Sequence, residues 1–417
     1  MKKILINGNK ELSGEIKISG AKNSIVALIP AAILSDEEVT IYNAPNISDT
    51  NSLIEIVEKL NGKVEYQDET IKIDCRNIQN CTIPEELSNK LRASYYFMGA
   101  LLGKYKYAEI YFPGGCNIGS RPIDFHIKGF EKLGAKVEID GSKYTISAEK
   151  LTGARIYLDF ASVGATINIM LAATKAEGTT YISNAAKEPE IVNVAILLNN
   201  MGAKISGAGT SEIKIEGVQK LSSCVIDVIP DRIEAGTYAI IGALLGKDLK
   251  ISGIIEEHIE ALLSKLKETG ANIKVEENNL IINKAPKFNA INVKTLVYPG
   301  FVTDLGQPMS VLLTQADGMS IFEETIYENR MGHIKYLQKM GANIKLNGQT
   351  AIFTGPTPLH GQDVVATDLR AGAAMIVAGL IATGQTKISE INHILRGYEN
   401  IVEKLKNVGA DIKVIDE

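Results

Sequence analysis

A short signature returns six times along this chain of 417 residues, and it limits the fold more than any other feature. It reads Leu60-Asn61-Gly62-Lys63-Val64, then Leu133-Gly134-Ala135-Lys136-Val137 and Met201-Gly202-Ala203-Lys204-Ile205. The remaining copies are Thr269-Gly270-Ala271-Asn272-Ile273, Met340-Gly341-Ala342-Asn343-Ile344 and Val408-Gly409-Ala410-Asp411-Ile412. With Asn61 as the counterpart of the first glycine, successive copies lie 73, 68, 68, 71 and 68 residues apart. Self-similarity at a nearly fixed period belongs to the whole fold and is read before anything local. An amphipathic helical pattern precedes each copy, as in Ile54, Val57, Leu60 or Ile401, Leu405, Val408. The glycine suits the left-handed residue that ends a helix. Alternating apolar residues such as Ile344 and Leu346 then begin a strand.

About half a period earlier comes a second, more apolar helical stretch: Ile167–Ala176 before Gly178, Tyr238–Leu245 before Gly246, Ser310–Thr314 before Gly318, Ala373–Thr383 before Gly384. The apolar helices read as buried and the amphipathic ones as outer. Six such units pack either as a one-dimensional solenoid or as two lobes of three. The length of each unit and its mixture of strand and helix favour two lobes. A break near Ile229–Pro230 leaves three signatures on each side, and ligand sites are expected in a cleft between the lobes.

Composition narrows the class of function. A net charge of −5 with no long basic run gives no sign of a nucleic-acid partner. The longest apolar stretches, Ser24–Leu34 and Ala371–Thr383, are too short for a membrane span and fit buried helices. Met1-Lys2-Lys3 is basic, but Asn7, Asn9, Lys10 and Glu11 interrupt any signal-peptide core. Cys75, Cys81, Cys116 and Cys224 are scattered without zinc spacing, as free thiols in a reducing cytoplasm would be. The five histidines carry no metal signature either, and the expectation is an enzyme with neither metal nor cofactor.

One stretch concentrates chemistry: Pro113-Gly114-Gly115-Cys116-Asn117-Ile118-Gly119-Ser120-Arg121-Pro122-Ile123-Asp124-Phe125-His126. Its glycines let the backbone approach a ligand closely. Pro122 suits the first position of a helix (Ile123, Ile127, Phe130, Leu133), whose free N–H groups beside Arg121 would attract an anion. A thiol next to that positive region becomes an acid or nucleophile near neutral pH. The plain alternative is a Gly-rich surface turn with Cys116 as a small hydrophobe.

These motifs, with Gly20-Ala21-Lys22-Asn23, Ser162-Val163-Gly164-Ala165-Thr166, Asp231-Arg232-Ile233-Glu234, Phe301-Val302-Thr303-Asp304, Glu328-Asn329-Arg330, Asp368-Leu369-Arg370 and Arg396-Gly397-Tyr398, resemble the UDP-N-acetylglucosamine enolpyruvyl transferase family along essentially the whole chain. The resemblance implies a two-lobed inside-out α/β barrel, each lobe three pseudo-symmetric repeats of about 70 residues. Residues 22–229 would form one lobe, and 1–21 with 230–417 the other. It also implies transfer of enolpyruvate from phosphoenolpyruvate to the 3′-hydroxyl of UDP-N-acetylglucosamine, the first committed step of bacterial peptidoglycan synthesis. Fosfomycin would then be a covalent inhibitor. Departures from the family pattern are Leu395 before Arg396, where relatives often carry an acidic residue, and Val302 and Gly306 around Asp304.

By resemblance, Lys22, Arg121 and Arg396 hold the phosphate of phosphoenolpyruvate, Arg330 and Arg370 lie nearer its carboxylate, and Arg92 lies toward the nucleotide sugar. Planar guanidinium forks suit both anionic groups. Addition and elimination at an enol ether needs an acid at the methylene and a base at the hydroxyl, for which Cys116 and Asp304 fit. Asp304 also reads as a helix N-cap, and the two roles can coexist. Asp368 carries the same ambiguity, while Asp231 and Glu234 read as ion pairs near the junction. The uridine diphosphate would lie against Arg121, Pro122, Ile123, Asp124, Phe125 and His126 and against Ala161, Ser162, Val163 and Gly164, with Asn23 and Ile326 on the sugar side. The rival readings are 5-enolpyruvylshikimate-3-phosphate synthase, which shares fold and donor, and a non-catalytic binder of UDP-sugars.

Overall fold

The computed structural model describes residues 2–114 and 122–416. The chain is mixed α/β and divides into two compact units, one holding described residues 20–114 and 122–229, the other 2–19 and 230–416. The chain passes between them after Ser19 and after Ile229. Among the described residues, each unit contains three open sheets.

In the unit of residues 20–229, one sheet runs Cys224–Asp227, Glu38–Tyr42, Thr70–Asp74, Lys63–Gln67, with the first pair parallel and the others antiparallel. A second runs Lys204–Ser206, Glu212–Glu216, Thr179–Ser183, Arg155–Tyr157 in the mirrored order, again with one parallel edge pair. The third is the antiparallel set Tyr107–Tyr111, Lys143–Ser147, Lys136–Asp140. The other unit shows the same plan. Its N-terminal strand Lys2–Asn7 pairs antiparallel with both Gln385–Ser389 and Asp411–Asp416, setting Ile4 opposite Ile388 and Val414.

Each unit buries three helices almost completely. They are Lys22–Ala32, Tyr96–Tyr105 and Val163–Ala173 in one unit, and Arg232–Leu245, Gly306–Leu313 and Leu369–Ile381 in the other. Nearly every residue of these helices is apolar or small, so no face can be left to water. The outer helices, such as Ser48–Lys59 and Glu260–Glu268, bury only one stripe: Leu53, Ile56, Val57 in the first and Leu262, Leu263, Leu266 in the second. A fully buried aliphatic side chain contributes roughly 1.5–3 kcal/mol.

The six signatures end their helices as the pattern requires. Gly134, Gly202, Gly270, Gly341 and Gly409 have φ between 87° and 110°, and Asn61 has φ 66° in the first copy. Gly246 follows an apolar helix as the sequence indicates, but without a positive φ. Its φ is −70° because the helix Arg232–Leu245 runs directly into the strand Gly246–Ser252, and Asp248 takes the positive φ instead. Pro122 also departs: the helix begins at Asp124 with Ile123 as its N-cap, so Pro122 lies ahead of the helix.

Close contact between the buried helices fixes some positions as glycine. A Cβ on Gly99 would lie 2.4 Å from the Asn168 carbonyl oxygen and 2.7 Å from its Oδ1. Gly99→Ala is therefore expected to destabilise the fold by about 1–3 kcal/mol. Urea unfolding checks this, and an unchanged midpoint would show that the two helices separate freely.

Candidate functional site

In the unit containing residues 230–416, three charged side chains converge. Asp304 lies in the single 3-10 turn Thr303–Leu305 that leads into the buried helix Gly306–Leu313. Its carboxylate does not cap that helix. It accepts from Arg330 Nη2 at 2.7 Å through Oδ1 and from Arg370 Nη2 at 2.8 Å through Oδ2. Both guanidiniums are buried, while the Asp304 side chain keeps 23% of its surface exposed. The buried Asp368 carboxylate lies close by, at the N-cap of the helix that carries Arg370. Burial alone would lower the Arg370 pKa, but Asp304, Tyr398 and Asp231 together outweigh it and the net shift is upward. Arg370 also stacks over the Tyr398 ring at 5.5 Å, which brings the Arg396-Gly397-Tyr398 motif to it. Arg396 itself is half-buried, just after the turn Asn392–Leu395, whose Leu395 is exposed.

Neighbouring residues hold these groups in place. Asp368 is the N-cap of Leu369–Ile381, accepting from the Arg370 and Ala371 amides at 2.8 and 3.0 Å, and so fixes the start of the helix that carries Arg370. Gln307 Nε2 donates to the Arg330 carbonyl at 2.9 Å. Buried Glu324 accepts from the hydroxyls of Thr295 and Thr303 and from the amides of Ile326 and Tyr327. One carboxylate thus ties the Asp304 turn to the loop bearing Ile326. Sequence reading missed Glu324 and Gln307. The adjacent pair Glu323-Glu324 at a strand end, where alternation turns one of the two inward, was the available signal.

In the unit of residues 20–229, a second group forms around Tyr95. Arg92 stands over the Tyr95 ring at 5.6 Å, and Tyr95 meets His126 edge-on at 4.8 Å. Gly164 closes the group: a Cβ there would lie 2.7 Å from the Tyr95 hydroxyl and 2.9 Å from His126 Cε1. Ser162 caps the helix Val163–Ala173, its hydroxyl accepting from the Ala165 amide at 3.3 Å. Ala161, Ser162 and Val163 stay half-buried at this helix start. Ile123 is buried, Asp124 exposed, and Phe125 packs partly on the core. Lys22 begins the helix Lys22–Ala32 and pairs with buried Asp49 at 3.5 Å, with half-buried Asn23 beside it. Cys116 and Arg121, and with them the Gly-rich loop, lie outside the described residues.

Asp231 and Glu234 take different parts. Asp231 caps Arg232–Leu245 through the Ile233 and Glu234 amides and also acts electrostatically on Arg370, while Glu234 pairs with Lys404 at 2.7 Å. No group of His, Cys, Asp and Glu among the described residues has the arrangement of a metal site, and no helix there is long and apolar enough to cross a membrane.

Buried guanidiniums around one carboxylate in one unit, and a capped helix start beside Arg92 and His126 in the other, are each arrangements that suit anions. The model of the EPSP synthase (3-phosphoshikimate 1-carboxyvinyltransferase) family matches residues 6–405, and the chain belongs to that family of enolpyruvyl transferases. It is 52% identical over 419 residues, the full length of both chains, to UDP-N-acetylglucosamine 1-carboxyvinyltransferase 2 of Streptococcus pyogenes serotype M1. Proteins of the same name from Listeria monocytogenes and Bacillus cereus are also 52% identical, over 98% and 99% of this chain. Among solved structures, the enolpyruvyl transferase NikO from Streptomyces tendae superposes with a TM-score of 0.91 at 26% identity, covering 99% of this chain and 98% of its own. EPSP synthase from Acinetobacter baumannii shares the fold at a TM-score of 0.74 and 17% identity over the full length of both chains.

Two buried imidazoles make stability depend on pH. Burial lowers His126 from 6.5 to about 3, with Arg92 adding to the effect, and lowers His333 from 6.5 to about 4. The unfolded chain then binds more protons than the folded one between those values and 6.5. Their contribution is full above pH 6.5 and is lost as pH falls toward 4. Glu234, raised to about 7 by burial, acts in the opposite sense and favours the folded chain at lower pH. Comparing His333→Gln with the parent isolates one of these contributions. The variant is expected to gain stability relative to the parent by up to a few kcal/mol between about pH 7 and pH 4.5. Urea midpoints measured across that range check it, and a difference that stays constant with pH would contradict it.

Proposed function

We propose that this chain transfers the enolpyruvyl group of phosphoenolpyruvate to the 3′-hydroxyl of UDP-N-acetylglucosamine and releases phosphate, the first committed step of peptidoglycan synthesis, in the cytoplasm. What carries the choice of acceptor is the 52% identity over full length with relatives named for that reaction, against 17% for EPSP synthase. The fold is read as two inside-out α/β lobes, each of three repeats. Three sheets and three buried helices in each unit support it.

Chemically, the Cys116 thiol delivers a proton to the methylene carbon of phosphoenolpyruvate, leaving positive charge on the adjacent carbon. The sugar 3′-hydroxyl adds there while Asp304 accepts its proton. Phosphate then leaves the tetrahedral adduct with the proton held by Asp304, and the new methyl group returns a proton to the Cys116 thiolate, which restores the enol ether. Lys22, Arg121 and Arg396 hold the phosphate, and Arg330 and Arg370 the carboxylate. The paired guanidiniums support the base role of Asp304 by orienting its carboxylate. Arg92, His126 and the helix start at Ser162–Gly164 receive the diphosphate, with Pro122, Ile123, Asp124, Phe125, Ala161 and Val163 lining the nucleotide and Asn23 and Ile326 the sugar.

Phosphate release with phosphoenolpyruvate and UDP-N-acetylglucosamine tests the reading. Turnover with shikimate 3-phosphate instead, or with neither acceptor, would overturn it. Asp304→Ala is expected to lower turnover by roughly 10²–10⁴-fold with substrate binding largely kept. Unchanged turnover would remove Asp304 from the base role.

Fosfomycin carries a phosphonate that the same cations would hold, with its epoxide carbon beside the Cys116 thiolate. Cys116 is expected to be the thiol alkylated. Burial pushes the Cys75 thiol up to about 12 and the Cys224 thiol up to about 11, so neither competes, and Cys81, outside any such cationic constellation, should also stay unlabelled. Mass spectrometry of tryptic peptides decides the matter, and label on another cysteine would sink the assignment. Cys116→Asp is expected to resist the drug and keep activity, since a carboxylic acid still delivers the proton.

A further inference from the structure

We propose that Asn168 is a positioning residue that locks His126 in the tautomer with its proton on Nε2, presenting Nε2–H as a donor to the diphosphate of the nucleotide sugar. The proposal rests on the function read above for the ligand, and on geometry alone for the tautomer.

Asn168 lies fully buried in the helix Val163–Ala173. Its Oδ1 accepts from the Gly99 amide at 2.9 Å. Gly99 lies in the first turn of the helix Tyr96–Tyr105. The reversed amide orientation would set Nδ2 against that N–H, donor facing donor. With Oδ1 committed, the Nδ2 group that lies 2.9 Å from His126 Nδ1 donates to it. A ring that accepts at Nδ1 and is neutral carries its proton on Nε2. Burial keeps the ring neutral, and nearby Arg92 opposes a second positive charge.

The direction of the ring follows from Gly164, one turn before Asn168. His126 Cε1 lies so near Gly164 that a Cβ there would be 2.9 Å away. Following the ring from Nδ1 at Asn168 through Cε1 at Gly164, Nε2 comes next, toward the helix start capped by Ser162. Its N–H then joins the unpaired amides of that helix start and the Arg92 guanidinium. A neutral donor at this place adds a hydrogen bond to an anion without repelling Arg92.

Asn168→Asp is isosteric and keeps an acceptor for the Gly99 amide, but turns the group facing Nδ1 from donor to acceptor. The proton should move to Nδ1 and leave Nε2 a bare lone pair facing the diphosphate. Nitrogen-15 NMR of histidine-labelled enzyme, with His126→Gln used for assignment, reads the tautomer directly. The wild type is expected to show a pyridine-like Nδ1 and a pyrrole-like Nε2, and Asn168→Asp the reverse. At about pH 9 the variant's KM for UDP-N-acetylglucosamine should rise roughly 10- to 100-fold, with kcat little changed. The loss should diminish as pH falls and the imidazolium regains Nε2–H, a recovery that general loosening of the fold would not give.

A wild-type spectrum with the proton on Nδ1 overturns the proposal by itself, whether or not the variant folds. A tautomer that reverses in Asn168→Asp without any change in KM overturns the donor role. A wild type with the expected spectrum that does not turn over UDP-N-acetylglucosamine overturns the functional reading instead and upholds the tautomer assignment.

Discussion

Helices without a polar face must be covered on every side, and this requirement organises both halves of the molecule. Lys22–Ala32, Val163–Ala173 and Arg232–Leu245 are buried along almost their whole length. Outer helices and short sheets supply the cover, and each sheet needs only one apolar face to do so. After each outer helix the chain turns at once, with a residue of positive φ at all six signature positions. Packing of this closeness leaves little room, which is why Gly99 and Gly164 have neighbours where a methyl group would stand.

Within such an interior charge is expensive, so clusters of buried charge mark candidate sites. Burying an ion pair often stabilises a protein no more than apolar side chains of the same volume would. Arg330 and Arg370 nevertheless lie deeply buried around one carboxylate, with Asp368, Gln307 and Glu324 fixing the backbone about them. Such a group is preorganised: its charges are already oriented before a ligand arrives, so little reorganisation is needed when charge develops. The Arg92, Tyr95 and His126 group follows another rule. There one cation is kept and the nearby imidazole is held neutral, so the two do not repel.

Residues that act through a local pattern were the legible ones. Ser162 caps its helix as a serine ahead of an apolar run does, and Asp368 does the same for Leu369–Ile381. Asp304 has the same sequence setting but turns its carboxylate to two arginines 26 and 66 positions away, which no local pattern records. Glu324 and Asn168 were illegible for a related reason. A glutamate at a strand end or an asparagine within a helix carries no mark of its partners until the fold brings Thr303 or His126 beside it.

By itself the sequence determined the period, the helix ends, the division into buried and outer helices and the family, because each is written in residue type at fixed spacing. Tertiary structure alone decided that Asp304 pairs with Arg330 and Arg370, that Gly246 continues into a strand, and that His126 is neutral with Asn168 at Nδ1. The physical reason is common to all three. Hydrogen bonds and charges act over a few ångströms, and the distances that matter are those set when helices far apart in the chain pack together.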